Sequence, residues 1–425
     1  MQDLDYRPRI VDSALEEYLQ IFGAVCVEGP KWCGKTRTSK VHSNSVFELA
    51  DPAGNFNNRH LAEVNCAEVL LGSNPLLLDE WQEVPLLWDA VRFEVDRRGG
   101  ASGQFILTGS ATPRRKGILH SGAGRIGLLR MRTMSLFESG DSTGEISLRQ
   151  ICDNQPLKSP IRRVELKHLA ELVVRGGWPG ILGKSLRSAQ ILTKEYIKAV
   201  LEEDIQKLEG VERNPHKMEL LLRSLARNES TMASNATLRN DIKTEDKEEI
   251  SAESVAVYLD VFRRMFLTDN QRAFSPKIRS SVRVKQGEKL HLADPSLACA
   301  LLGFSPQGLI NDLSTFGFLF EALCERDLRV YASLFDGELY HYRDYKGKEI
   351  DAILQLEDNE WVAFEIKLGA NKIEEAEQNL LSLREAIIKD GQKPPKSMCI
   401  ICGLADMAYT LPSGVHVVPI TMLGV

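Results

Sequence analysis

At 425 residues the chain exceeds what one hydrophobic core usually holds, and two to four domains are expected. Its 43% hydrophobic and 26% charged residues are ordinary for a globular protein, and no apolar run approaches the length that spans a bilayer, which excludes a membrane-embedded reading. A formal net charge of -6 excludes general attraction to nucleic acid, so any DNA or RNA contact must rest on local patches.

Residues 11–22 read as an amphipathic helix capped by Asp12 or Ser13. The apolar stretch 23–28 then reads as a buried strand leading into Gly29-Pro30-Lys31-Trp32-Cys33-Gly34-Lys35-Thr36, which fits G-x-x-x-x-G-K-[ST] at every fixed position. Glycines let successive backbone amides turn inward on a polyphosphate, and the helix that starts at Thr36 and Arg37 adds its positive end. ATP is therefore the expected ligand of Gly29 to Arg37, with Lys35 reaching the β- and γ-phosphates and Thr36 placed to ligate Mg²⁺.

Residues 45–50 suggest a second strand and 61–71 a helix. The run Pro75 to Glu80 is apolar until it ends in two carboxylates, which reads as a parallel strand whose tip faces the phosphates. Asp79 is expected to hold Mg²⁺ and Glu80 to orient the attacking water; Asp79 could also start the next helix as a cap, but its pairing with the loop favours the catalytic role. A further strand, 104–107, ends in Thr108-Gly109-Ser110, so Thr108 or Ser110 can sense the γ-phosphate, with ordinary turn chemistry as the competing account. Arg125, after a glycine-rich stretch, is a candidate arginine finger, in cis or across a subunit boundary of a homo-oligomer. The alternation of strands and helices implies a doubly wound parallel sheet forming a core over 1–140.

Polar residues 141–163 look like a linker or insertion, and helical patterns to 212 suit a lid over the nucleotide. Over 213–312, three helices followed by strand-like pieces make a winged-helix pattern, whose wing would carry Lys277, Arg279, Arg283 and Lys285 towards DNA. Residues 313–425 hold a second constellation. A mostly buried helix includes Glu321, and a hairpin and a third strand follow. Alternation places Glu349 and Asp351 on one face, and Glu365 and Lys367 on one face of the next strand. An Asp opposite Glu-x-Lys is the PD-(D/E)xK nuclease arrangement, in which Asp351 and Glu365, completed by Glu321, would hold a second divalent metal, and Lys367 would position the nucleophile. Cross-strand salt bridging on a solvated face is the alternative.

Eight cysteines are scattered, several of them in apolar runs; the Cys399/Cys402 pair lies within a strand-like segment and has no partner pair at zinc spacing. No signal peptide precedes the first helix, so a cytoplasmic location is expected.

These motifs, Gly29 to Thr36, Leu78-Asp79-Glu80-Trp81-Gln82-Glu83-Val84-Pro85 and Leu107 to Ser110, resemble those of prokaryotic AAA-type ATPases that carry a C-terminal domain of unknown function. Gly124-Arg125, Gly176-Gly177-Trp178-Pro179, Gly347 to Asp351 and Phe364 to Lys367 fit the same family. The resemblance implies an ATPase core, a winged-helix segment and a restriction-endonuclease-like terminal α/β domain. Lys31 departs from the arginine of many members, and 141–163 and 228–250 look enlarged. The expectation is an ATP-hydrolysing protein acting on or regulated by nucleic acid; the alternative is a nucleotide-gated regulatory or scaffold module without cleavage.

Overall fold

The computed structural model describes residues 6–111, 120–205, 213–276, 287–344 and 347–425. Five strands form the first sheet: β1 (Ala24–Glu28), β2 (Ser45–Glu48), β3 (Leu76–Asp79), β4 (Phe105–Gly109) and β5 (Ile126–Arg130). They lie in the order β2-β3-β4-β1-β5, all parallel. A parallel sheet needs both faces covered, which is why its strands are apolar throughout rather than alternating. Val25, Val27, Leu77 and Ile106 pack on one face against the helix Val11–Ile21; Cys26, Leu78 and Leu107 pack on the other, against the helix Leu86–Arg97. Because β4 lies between β1 and β3, the tips of the loop strand and the acidic strand flank the Thr108 tip.

Residues 141–163 do not form a free linker. Ser135 and Ser147 each begin a short helix with a capping box. Between them β6 (Ile146–Ser147) departs, and Leu148, Ile151 and Cys152 sink into the core. Capping satisfies the local backbone, which is how so polar a stretch can be held against the rest of the chain.

Helices Leu166–Arg175 and Leu186–Ala199 stand where the lid was expected, joined through Gly176-Gly177-Trp178-Pro179. Gly176 has φ +74°, and a Cβ on Gly177 would lie 2.0 Å from the Met134 carbonyl oxygen, so both positions exclude side chains. Helices Pro215–Arg227, Asn235–Asp241 and Ala252–Arg264 follow. Antiparallel bridges then pair Thr268 with Leu292 and Gln271 with Lys289. Lys277, Arg279, Arg283 and Lys285 lie outside the described residues.

β7 (Arg272–Ala273) leaves this middle segment to join the last sheet, beside β8 (Glu338–Arg343). β9 (Glu349–Gln355), β10 (Trp361–Lys367), β11 (Ser397–Cys402), β12 (Tyr409–Thr410) and β13 (His416–Pro419) complete it in the order β12-β13-β11-β10-β9-β8-β7. β8, β9 and β10 run antiparallel, while β11 and β13 continue parallel to β10. Helices Leu313–Ala332 and Ile373–Lys389 pack against it. Finally β14 (Leu423–Gly424) pairs with β6, and the Ser142 hydroxyl donates to the Leu423 carbonyl at 2.6 Å. One hydrophobic core is thus continuous from the lid helices, through the middle helices, into the terminal sheet.

Candidate nucleotide-binding site

The loop after β1 turns tightly. Gly34 has φ +106°, and a Cβ on Gly29 would sit 2.1 Å from the Met131 carbonyl oxygen, so only glycine allows this approach. Lys35 is buried and donates to the carbonyls of Gly29 (3.0 Å) and Pro30 (2.9 Å), which places its ammonium in the hollow of the loop. Arg9 braces the loop from outside: it pairs with Glu138 at 3.0 Å and donates to the Cys33 carbonyl at 2.9 Å.

At the neighbouring tips one carboxylate collects both threonines. Asp79 Oδ1 accepts from Thr36 Oγ1 at 2.8 Å and from Thr108 Oγ1 at 2.5 Å. Burial raises the Asp79 pKa above the usual carboxylate value, and the two hydroxyl bonds only partly offset this. The Thr108 hydroxyl also accepts from the Glu80 amide at 3.0 Å. Glu80 has φ +59°, a conformation that strains a residue with a side chain, and it directs its carboxylate to Ser110 Oγ at 2.8 Å and to the Gln82 amide. The structure therefore brings Lys35, Thr36, Asp79, Glu80, Thr108 and Ser110 together. The Thr36 hydroxyl and Asp79 carboxylate are two adjacent hard oxygen donors, a set that fits Mg²⁺, which binds few protein ligands and keeps several waters.

Side chains from the helical segment 178–204 reach the same loop. Trp32, itself at φ +71°, stacks on Trp178 (5.9 Å between ring centroids, 19°) and on Tyr196 (6.1 Å, 24°). Lys31 pairs with Asp204 at 2.8 Å. A cleft of about 200 Å³ opens beside the loop between Tyr6, Arg9, Arg37, Pro179 and Leu182. Sequence reasoning missed Tyr6, Arg9, Trp178 and Tyr196 as neighbours of the site. An unusual aromatic residue within a phosphate loop was the available signal for the last two.

Arg125 is not brought to the cradle. It precedes β5, whose first residue Ile126 pairs with Ala24, so it lies at the opposite end of the parallel sheet from the loop that follows Glu28. The length of β1 separates them, about 17 Å at 3.3 Å per residue. Its guanidinium pairs with Asp96 at 2.9 Å.

The terminal constellation assembles with a different chemistry. Lys367 bonds Asp351 at 3.1 Å and Glu365 at 2.5 Å. Glu321 pairs with Lys289, a buried side chain from the middle segment that also lies 3.4 Å from Glu325 and donates to the Asp351 main-chain carbonyl at 3.3 Å. Burial, with the neighbouring Asp351 charge, pushes Glu365 up to about 8 despite Lys367. Among the described residues no three acidic, histidine or cysteine side chains are placed to share a metal. Each carboxylate expected at the second metal is held by an ammonium in this structure: Asp351 and Glu365 by Lys367, and Glu321 by Lys289.

Residues 22–139 match the family described as AAA domain. Two families described as domains of unknown function, DUF8612 and DUF4143, match residues 166–308 and 316–423. Uncharacterised proteins of Mycobacterium bovis and Mycobacterium tuberculosis are each 24% identical over 399 residues, covering 92% of this chain and 81% of their own. Among solved structures, the Walker-type ATPase of Pyrococcus abyssi has a TM-score of 0.42 at 15% identity, covering 71% of this chain and 97% of its own. The ORC2 protein of Aeropyrum pernix, in ADPNP–ADP complexes, has a TM-score of 0.31 at 14% identity, with 73% and 98% covered. No helix among the described residues is long and apolar enough to cross a membrane. Residues 22–139 thus form a domain of the AAA kind, with the P-loop between β1 and the helix Lys35–Val41.

Proposed function

We propose that the protein is a Mg²⁺-dependent ATPase whose lid, middle and terminal segments respond to the nucleotide, and that it acts on or is regulated by nucleic acid. The observation that carries the ATPase reading is the joint anchoring of Asp79 by Thr36 and Thr108, with Glu80 held at Ser110 beside it. In this reading the amides of Gly29 to Arg37 wrap the triphosphate. The Lys35 ammonium turns from the Gly29 and Pro30 carbonyls to the phosphate oxygens. Thr36 and Asp79 would hold Mg²⁺, which supplies positive charge against the phosphates. Glu80 orients the attacking water and accepts its proton, while Thr108 and Ser110 fix the carboxylates. A chemical step of this kind is mostly positioning and charge stabilisation.

The lid contacts give the response a route. Trp32 and Lys31 belong to the loop, while their partners Trp178, Tyr196 and Asp204 belong to the lid, so a change in the loop shifts the lid helices. Arg125 suits a role in trans in a homo-oligomer. Three helices followed by antiparallel bridges support a winged helix over 213–312, and the sequence places Lys277, Arg279, Arg283 and Lys285 in its wing. The second reading, a regulatory module that does not cleave, is favoured by the lysines already occupying the terminal carboxylates.

ATP turnover by the wild type and by Lys35→Ala, each with and without DNA, tests this. Equal turnover in the two proteins rejects the ATPase. A rate indifferent to DNA and RNA, with no salt-sensitive binding, rejects the nucleic-acid clause.

A further inference from the structure

The segment between Lys289 and Asp294 buries charged side chains that reach into different parts of the chain. Lys289 points into the terminal domain, where its ammonium meets Glu321, Glu325 (3.4 Å) and the Asp351 main-chain carbonyl (3.3 Å). His291 bridges Glu229 of the middle segment (3.0 Å) and Glu325 of the helix Leu313–Ala332 (2.7 Å). The segment is pinned by paired backbone bonds between Gln271 and Lys289, both 2.9 Å.

Two carboxylates and a carbonyl are the oxygen donors a hard divalent cation takes. Here an ammonium sits among them, carried on a segment with its own backbone and side-chain anchors. A second ammonium, Lys367, holds Asp351 and Glu365. Clustered buried carboxylates need cationic compensation, and two lysines supply it without a metal. The strands and helix that would build a metal-dependent nuclease centre are thus joined by fixed cations.

We propose that the terminal constellation is closed to divalent metals and works as an ammonium-filled clamp, in which Lys289 fastens the middle segment to the carboxylates of the terminal domain. The clamp stands independently of the nucleotide reading. The compensation is shared: Lys289 faces Glu321, Glu325 and Asp351, and His291 faces Glu229 and Glu325. Removing Lys289 therefore leaves the charge of Glu321 without its partner, and removing both ends restores balance.

Two measurements on the full chain without nucleotide decide this. In the first, Mn²⁺ is titrated calorimetrically into wild type and Glu365→Gln. Equal uptake is expected; an Mn²⁺ site present in wild type and lost in Glu365→Gln overturns the proposal. In the second, hydrogen exchange is followed at residues 289–294 in Lys289→Met and in Lys289→Met with Glu321→Gln. The single variant should exchange at least about tenfold faster there, and the charge-balanced double variant should recover much of the protection. Wild-type exchange in the single variant overturns the clamp. Should Lys289→Met fail to fold, folding of the double variant supports it and Glu365-dependent Mn²⁺ uptake in wild type still overturns it.

Discussion

Thr36 Oγ1 donates to Asp79 Oδ1 across 2.8 Å, joining positions 43 residues apart in sequence. Thr108 donates to the same oxygen from the strand between them. A carboxylate whose pKa burial has raised is thereby kept in place by two hydroxyls, one of which belongs to the phosphate loop. The nucleotide cradle and its acidic wall are a single hydrogen-bonded unit.

Glu80 stands next to that unit in a strained backbone conformation, and in the proposed mechanism it orients the attacking water. Glu80→Gln should leave ATP affinity within a few-fold of wild type and lower turnover by about 10²–10⁴-fold, the usual contribution of a positioned base. Calorimetric affinity and phosphate release measured side by side check this. Turnover within a few-fold of wild type would remove Glu80 from the chemistry.

Glycines in this chain divide by what surrounds them. Gly177→Ala puts a Cβ 2.0 Å from the Met134 carbonyl, a backbone atom that cannot swing away, so a loss of at least about 1–3 kcal/mol is expected. Gly317 in the helix Leu313–Ala332 has no atom within 4 Å of such a Cβ. Gly317→Ala should therefore raise stability by about 0.5–1 kcal/mol, through helix propensity. Thermal melts of both variants compare the two directly; equal shifts would contradict the packing around Gly177.

Asp294 is fully buried and receives Thr133 Oγ1 (2.8 Å), the Gly177 amide (3.0 Å) and the Arg326 guanidinium (3.0 Å). It therefore joins the segment after the first sheet, the turn at Gly176-Gly177 and the helix Leu313–Ala332. Breaking a buried pair strands the partner charge, so Asp294→Ala should cost about 3–5 kcal/mol. Asp327 also touches Arg326 and softens the loss towards the lower figure. Urea denaturation measures it, and a change below about 1 kcal/mol would show that the hub carries no load.

The His291 imidazole is buried, which by itself would depress its pKa, yet the Glu325 and Glu229 carboxylates push it up to about 9. A folded pKa above the ordinary value of 6.5 means that its ion pairs contribute fully below about pH 6.5 and are lost as pH rises through 9. The melting temperature should fall between pH 7 and pH 9.5 by several degrees more in wild type than in His291→Gln. Parallel pH profiles for the two proteins would sink the assignment.

Local pattern was enough to identify the cradle, because its chemistry is contiguous: Gly29 to Thr36 carries its own glycines, lysine and threonine, and Asp79-Glu80 ends its own apolar strand. Strand alternation also placed Asp351, Glu365 and Lys367 on one face, where they meet. Composition left 141–163 open between linker and insertion, because polar residues that cap helices and bond the distant strand Leu423–Gly424 look the same in sequence as residues that face water.

What tertiary structure alone decided were the contacts made at long sequence separation. Parallel pairing of β1 with β5 set Arg125 at the far end of the sheet, and no motif encodes sheet direction. Lys289 carried no signal, since a lysine in a short polar strand reads as solvated until packing drives its ammonium among Glu321, Glu325 and Asp351. The amino-acid order alone determined the phosphate-loop pattern and the acidic strand end, because backbone amides and side chains close together in the chain make up each of them. Burial decided which carboxylates meet a lysine, because the charge on a carboxylate must be matched by whichever cation the fold brings within reach.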